Sequence, residues 1–342
     1  MSVGPDPRNP RYDSSVDLKD QSVLVTGAGG FIGSHLAERL VQLGAKTRAL
    51  VHYRGNGSWG WLDDSPLRKD MQIIAGDIRD RDLVTEAMRG VNVVFHLAAL
   101  IGIPFSYHAP ASYVDTNIGG TLHVLQAARD LKTDRVVHTS TSEVYGTARY
   151  VPIDEAHPLQ AQSPYAATKI AADKLVESSH LSYGLPVITI RPFNAFGPRQ
   201  SERAVVPAII TQMLSGDTIH LGNLNPTRDL NYVSNTVDGF IMAASSPAAI
   251  GKTVNIGSGR EISIRQLVEL IADLTGRTPQ IQVDGERERP EGSEIERLVA
   301  NASLARETMA WEPRVSLEDG LRKTIDFIRD NLNRYRPDLY AR

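Results

Sequence analysis

Apolar residues recur along this chain with two different periods. Six short runs are rich in β-branched and aliphatic residues: "QSVLVT" (Gln21–Thr26), Thr47–Val51, "MQIIAGDI" (Met71–Ile78), "VNVVFHLAA" (Val91–Ala99), "RVVHTS" (Arg135–Ser140) and "PVITI" (Pro186–Ile190). Nearly continuous apolar runs of this length read as strands buried on both faces. Between them, over Gly33–Leu43, Asp82–Arg89, Thr116–Leu131 and Pro164–Tyr183, the spacing is that of helices with one apolar face. Strand and helix alternate, which predicts βαβ units and an α/β fold: a Rossmann-type, doubly wound parallel sheet covered on both sides.

The rhythm loosens after Arg191. "RPFNAFGPRQSERAVVP" reads as loop, Val205–Leu214, Ile264–Thr275 and Leu317–Leu332 as helices, and "GKTVNIGSG" (Gly251–Gly259) as a late strand and turn. The expected organisation is therefore a parallel-sheet domain over 21–190, rejoined by a strand near 251–258, and a smaller C-terminal substrate-binding portion over 191–342. Residues 1–20, rich in Pro, Asp and Ser, are expected to be a mobile arm.

Composition narrows the function classes. The 342 residues suit one large domain or two intimately joined ones, and 41% hydrophobic with 23% charged residues fits neither a disordered nor a membrane protein. A net charge of -3 supplies no general field for nucleic acid. The absence of cysteine removes disulfides, thiolate nucleophiles and Cys-ligated metals. The N-terminus has no apolar core of a secretory signal, and Val91–Phe105, interrupted by Asn92, His96 and Gly102, is too short to span a bilayer. A cytoplasmic protein with neither a nucleic-acid nor a membrane partner is expected. The histidines lack paired acidic spacing, so no metal is expected, and His96 and His138 are assigned core or hydrogen-bonding roles.

"VTGAGGFIG" places Gly27, Gly30 and Gly33 between the first strand and the first helix. Glycines at that place let backbone N–H groups approach a pyrophosphate at a helix N-terminus, so a dinucleotide is the expected ligand. An acid that would hold a ribose 2′-hydroxyl is missing at the second strand's end, where His52, Tyr53 and Arg54 stand before Asp63. Arg54 or Arg48 suits a 2′-phosphate and Tyr53 suits an adenosine wall, which leaves NAD and NADP both open. Asp77, in "GDI", suits the adenine amino group or a local cap.

Tyr165 and Lys169 in "SPYAATKIAADKL" are four residues apart on a helix and share a face. An ammonium beside a phenol favours the phenolate, a base for alcohol oxidation coupled to hydride transfer. Upstream, "HTSTSEVYG" (His138–Gly146) puts Thr139, Ser140, Thr141, Ser142 and the carboxylate of Glu143 at the end of a buried strand. A carboxylate there is costly unless paired, protonated or used.

With "TGAGGFIG", "GDIRD", "HLAA", "DTNIGGT", "STSEVYG", "SPYAATK", "RPFNAFGPRQ" and "TRDLNYV" in order, nearly the whole chain after residue 20 resembles the extended short-chain dehydrogenase/reductases of the nucleotide-sugar epimerase/dehydratase group. "NGSWGWLD", "HLAALIGIPFSYHAP" and "RPEGSEIERL" resemble LegB-type NDP-sugar 4,6-dehydratases more closely. The resemblance implies NAD or NADP, tightly bound and regenerated each cycle, held by Gly27, Gly30, Phe31, Ile32, Gly33, His52, Arg54, Asp77, Ile78, Leu97, Ala98, Ala99, Tyr165 and Lys169. It implies that Thr141 binds the sugar's 4-hydroxyl, that Tyr165 is the base there, and that Lys169 orients the ribose and tunes the tyrosine. Glu143 then removes the carbon-5 proton from the 4-ketone, water leaves from carbon 6, and hydride returns to carbon 6. Ser142 fills a slot that is Asp in some dehydratases, and Thr-Ser-Glu resembles the GDP-mannose dehydratase pattern. Uronate decarboxylases carry similar strand ends, so that activity, 5,6-dehydration and 4-epimerisation stand as alternatives, with a redox-sensing binding module as the non-enzyme reading.

On the substrate side, Asn194, Arg199, Arg228 and Arg289 match positions for the sugar diphosphate or nucleotide, and Arg199 is also read as a loop cap. "NYVSNTVDG" departs from the group in having Asn235 where an acid is frequent. Helices Thr116–Leu131 and Pro164–Tyr183 resemble those of a four-helix dimer interface, implying a homodimer.

Overall fold

The computed structural model describes residues 16–285 and 290–335. Its centre is a seven-stranded, wholly parallel sheet. In chain order it is built from β1 (Ser22–Thr26), α1 (Phe31–Gln42), β2 (Lys46–His52), β3 (Gln72–Gly76), α2 (Arg81–Met88), β4 (Val93–His96), α3 (Ile103–His108), α4 (Pro110–Tyr113), α5 (Gly120–Asp130), β5 (Arg135–Thr139), α6 (Pro164–Tyr183) and β6 (Val187–Pro192). The seventh strand, Thr253–Ile256, pairs with β6, and the spatial order is seventh–β6–β5–β4–β1–β2–β3. Chain direction across the sheet reverses between β1 and β4, so a crevice opens at their carboxyl ends, where such sheets bind ligands.

Both faces of the sheet are dry. Val23 and Val25 of β1 face the core shared with α1 and the helix Val233–Ser245, whereas Leu24 faces the core shared with α2 and α5. Each fully buried aliphatic side chain contributes roughly 1.5–3 kcal/mol, which is why these strands read as unbroken apolar runs. Helix α6 is delimited by its own sequence. The Ser163 side chain accepts from the Ala166 N–H, Pro164 occupies the first turn, and Gly184 ends the helix at φ 60°.

The chain departs from the sequence expectation in three places. The helix expected over Thr116–Leu131 is preceded by α3 and α4 and enters through a π-helical turn, Val114–Gly119, before becoming α5. Helix Val233–Ser245, composed largely of weak helix formers, forms because Val233, Val237, Phe240, Ala243 and Ala244 are buried on the sheet. The arm expected to be mobile falls outside the described residues as far as residue 15. Its remainder is packed: Leu18 is 3% exposed and the Val16 N–H donates to the Ser245 carbonyl.

Beyond β6 the chain adds helices Val205–Ser215, Ile264–Thr275 and Leu317–Asp330, together with two-stranded pairs. One pair, Thr227–Asp229 against Glu261–Ser263, carries Arg228.

Candidate active site

The glycine turn is shaped by contacts that admit no side chain. Gly27 lies at φ 72°, and a Cβ there would sit 2.9 Å from the Ala98 Cα and N, so the β1 turn rests on the backbone that follows β4. A Cβ at Gly33 would lie 2.2 Å from the Gly27 carbonyl oxygen. Gly30 caps α1 without a side chain, leaving first-turn N–H groups of Phe31, Ile32 and Gly33 directed past it. That cradle fits a dinucleotide pyrophosphate. The turn is also held from outside by a feature that the glycine pattern alone did not reveal. The Trp61 N–H donates to the Gly29 carbonyl at 3.0 Å, within a 3₁₀ turn Gly60–Asp64 that covers the glycines.

At the adenosine side, His52, Tyr53 and Arg54 are exposed at the end of β2. Asp63 is occupied locally, accepting from Ser58 Oγ at 2.7 Å and from the Trp59 N–H at 3.0 Å. Asp77 accepts the Arg79 N–H at 2.9 Å and its guanidinium at 2.6 Å, and that hydrogen bonding holds its carboxyl below the usual range. Local capping thus accounts for its geometry. Ile78 is buried, and Leu97, Ala98 and Ala99 are half-buried after β4. The Thr26 Oγ1 accepts from the N–H groups of Leu97 and Ala98, both at 3.1 Å, so the β1 and β4 ends are tied together.

The catalytic candidates converge at the end of β5. Thr141 is extended and caps a 3₁₀ turn, Ser142–Tyr145, its Oγ1 accepting from the Glu143 N–H at 3.2 Å. Thr141, Ser142, Glu143, Tyr165 and Lys169 are all buried. Tyr165 and Thr141 share a side-chain hydrogen bond. Burial raises the Tyr165 phenol, the Thr141 bond opposes that rise, and the Glu143 charge adds to it. Lys169 donates to the Thr139 carbonyl at 2.6 Å, and burial lowers its ammonium to about 8. The β5 edge therefore gathers a buried carboxylate, hydroxyl, phenol and ammonium at one strand end.

A polar layer lies beneath this group. Asp173, one turn past Lys169, accepts from Ser140 Oγ at 2.7 Å and from Arg191 Nη2 at 2.9 Å, with His138 Nε2 3.3 Å away. Arg191 donates to Tyr145 Oη at 2.9 Å, and Tyr145 donates to Asn255 at 2.7 Å. His96 bridges Thr26 and Thr121 at 2.9 and 3.0 Å, the hydrogen-bonding role expected for it, and burial pushes its imidazole well below its ordinary value. Among the described residues no group of three metal-ligating side chains exists.

Sequence reasoning missed Asp173, Arg191 and Asn117. Asn117 sits on the π-helical turn and joins the Leu100 backbone to Thr168 of α6 at 2.8–3.0 Å, bracing the β4 loop against that helix. The available signal for Asp173 was its i+4 spacing from Lys169.

The substrate-side candidates divide. Asn194 is half-buried just past β6, and its Oδ1 is buried without a hydrogen-bond partner among the described residues. Arg228 is buried and pairs with Glu294 at 3.2 Å. Arg199 turns toward α1, bonding Glu38 at 3.0 Å and Ser34 at 3.2 Å, which is the loop-fastening alternative for that residue. Arg289 lies outside the described residues. Asn235 has a clear local function: its Nδ2 donates to the Val315 carbonyl at 2.9 Å while its Oδ1 accepts from the Arg314 and Val315 N–H groups at 3.0 Å. A carboxylate would lack the donor.

The chain is similar to known proteins over most of its length. The family described as GDP-mannose 4,6 dehydratase matches residues 24–324. A UDP-glucose 4-epimerase of Mycolicibacterium smegmatis is 35% identical over 90% of this chain and 98% of its own. A UDP-N-acetyl-alpha-D-glucosaminuronate decarboxylase of Bacillus cytotoxicus is 33% identical over 90% and 97%. The solved structure of DesIV, a dTDP-glucose 4,6-dehydratase from Streptomyces venezuelae with NAD bound, superposes with a TM-score of 0.83 at 29% identity, covering 93% of this chain and 99% of that one. A Rossmann sheet with a glycine cradle, a Tyr165–Lys169 helix face and full-length similarity together identify this chain as a member of the NAD-dependent epimerase/dehydratase family of extended short-chain dehydrogenase/reductases.

Proposed function

We propose that this protein is an NAD(P)-dependent nucleotide-sugar 4,6-dehydratase acting on a UDP- or GDP-linked hexose, such as an N-acetylglucosamine nucleotide. The observation that carries the reading is Glu143, a buried carboxylate two residues past Thr141 whose charge acts on Tyr165. Plain 4-epimerisation has no use for a base at that place. The bound nicotinamide would supply the acceptor for the carbon-4 hydride and return it at carbon 6. Tyr165 takes the proton of the 4-hydroxyl while the Thr141 hydroxyl orients that group. To the Lys169 ammonium, one turn along α6, we assign the favouring of the phenolate, against the burial that raises the phenol. A ketone at carbon 4 acidifies the proton on carbon 5. Glu143 removes that proton and delivers it to the departing 6-hydroxyl, which leaves as water. As carbon 6 regains the hydride, carbon 5 takes a proton back through Glu143 and Tyr165 releases the proton it took, so the net change is the loss of one water. Ser142 stands where the resemblance allows a separate acid, so Glu143 serves as both base and acid.

Asn194, with its unpartnered Oδ1, and Arg228 are the residues that we assign to the sugar diphosphate, for which a guanidinium offers charge-assisted bonds. We assign the protein to a homodimer through α5 and α6, which pack side by side and carry Leu122, Leu181 and Tyr183 at 38, 58 and 60% exposure. A monomeric mass by light scattering would end that assignment.

The test is mass and NMR analysis after incubation with UDP- and GDP-linked glucose, mannose, N-acetylglucosamine and glucuronate. Loss of one water with a 6-methyl 4-ketone supports the reading, and Glu143→Gln is expected to abolish it. Loss of carbon dioxide, an exocyclic 5,6-alkene or an isomer of unchanged mass replaces it with decarboxylation, 5,6-dehydration or epimerisation.

A further inference from the structure

Helix α6 carries a third buried polar residue in register with the catalytic pair. Tyr165, Lys169 and Asp173 follow one another at i, i+4 and i+8, so they form a column down one helix face, and they are 7, 4 and 5% exposed. Asp173 does not reach the substrate side. Its Oδ2 accepts from Ser140 Oγ at 2.7 Å and from Arg191 Nε and Nη2 at 3.2 and 2.9 Å, while its Oδ1 lies 3.3 Å from His138 Nε2. Those contacts come from β5 and β6, so the carboxylate is fixed to the sheet while its own helix carries the lysine.

The charge arrangement gives this clamp a consequence. Lys169 is met by the Thr139 carbonyl and His138 from β5, by His96 from β4, and by Asp173 from its own helix; the charges of Glu143, from the 3₁₀ turn, and of Asp173 act on Tyr165, and Arg191 of β6 faces Asp173. Burial lowers both imidazoles, so neither histidine adds a charge at neutral pH. A buried ammonium is costly without a counter-charge. Asp173 is the charge that favours the ammonium of Lys169, against the burial that disfavours it.

We propose that Asp173 is a positioning residue of the reaction: held to the sheet by Ser140, His138 and Arg191, it keeps Lys169 charged on the helix face that both share with Tyr165. The proposal rests on reading Tyr165 and Lys169 as the catalytic pair. It differs from a merely structural Asp173–Arg191 pair in what it does to the lysine.

The test is an NMR titration of the Lys169 side chain in lysine-labelled full-length protein, the signal being assigned by its loss in Lys169→Arg. Asp173→Asn is expected to lower the Lys169 midpoint by roughly one pH unit or more, whereas Asp173→Glu and Ser140→Ala, which keep the carboxylate, hold it near the wild-type value. If Asp173→Asn does not fold, the double variant Asp173→Asn/Arg191→Gln, which leaves no unpaired buried guanidinium, is titrated instead. A folded variant without the carboxylate and with an unchanged midpoint overturns the proposal. The alkaline limb of the turnover profile is expected to move down with the midpoint, at unchanged KM for the nucleotide sugar. If Tyr165→Phe retains full turnover, the catalytic reading fails, and the titration still reports on Asp173 separately.

Discussion

The carboxyl ends of β1 and β5 are both strand–turn–helix junctions in one parallel sheet, yet they are built on opposite principles. The β1 turn works by leaving side chains out: Gly27, Gly29 and Gly33 are each pressed against backbone closely enough that a Cβ would clash. The β5 edge works by putting polar side chains in, with Thr141, Ser142 and Glu143 buried beside Tyr165 and Lys169. One end presents N–H groups to any dinucleotide. The other holds titratable groups away from water, where their charges act strongly on one another. The difference teaches that one strand end is shaped by backbone packing and the other by buried polar groups.

Three changes probe that contrast. The largest effect is expected at β5. Tyr165→Phe removes the hydroxyl to which we assign proton transfer and should lower turnover by about 10²–10⁴-fold, the range for a general base. Because the phenyl ring still fills the site, thermal unfolding should move little; a large drop in Tm would mean that the hydroxyl is mainly structural. At β1, Gly33→Ala should act through shape alone. Its Cβ would meet the Gly27 carbonyl at 2.2 Å, so α1 must retreat, at a cost of about 1–3 kcal/mol in denaturant unfolding. Dinucleotide affinity by calorimetry should fall with it, and an unchanged affinity would detach the cradle from binding.

The smallest effect is one of pH. His96 and His138 have folded-state values lowered by burial, so below about 6.5 the unfolded chain binds protons that the folded chain refuses. Stability should therefore fall as pH drops below that value, by up to about 1.4 kcal/mol per histidine for each pH unit. Replacing His138 by Gln should flatten the slope measured between pH 6.5 and 5.5. An unaltered slope would place the acid sensitivity in other groups, outside the β5 layer.

Legibility in the sequence follows the same division. Glycine spacing, the Tyr165–Lys169 register and the hydroxyl-rich strand end are local patterns, and each was readable because its meaning depends on a few neighbouring residues. Arg199 was not. A cation in a loop after β6 looks like a phosphate ligand until the fold brings Glu38, 161 positions away, to its guanidinium. Asn235 looked like an unexplained departure from an acid. It is intelligible once Arg314 and Val315 are seen donating to its carbonyl and Val315 accepting from its amide. Helix Val233–Ser245 escaped notice because its own propensity is weak and the sheet surface that stabilises it lies elsewhere in the chain.

The sequence by itself determined the α/β sheet, the glycine turn and the shared helix face of Tyr165 and Lys169. Apolar period, steric freedom at glycine and helical register are properties of short segments, so they are complete before the chain folds. The tertiary structure alone decided which cations are committed, that Asp173 lies beneath Lys169 tied to the sheet, and that the Trp61 loop holds the glycine turn. Those depend on burial and on partners drawn from distant strands, because the strength of a charge or a hydrogen bond is set by what surrounds it after folding.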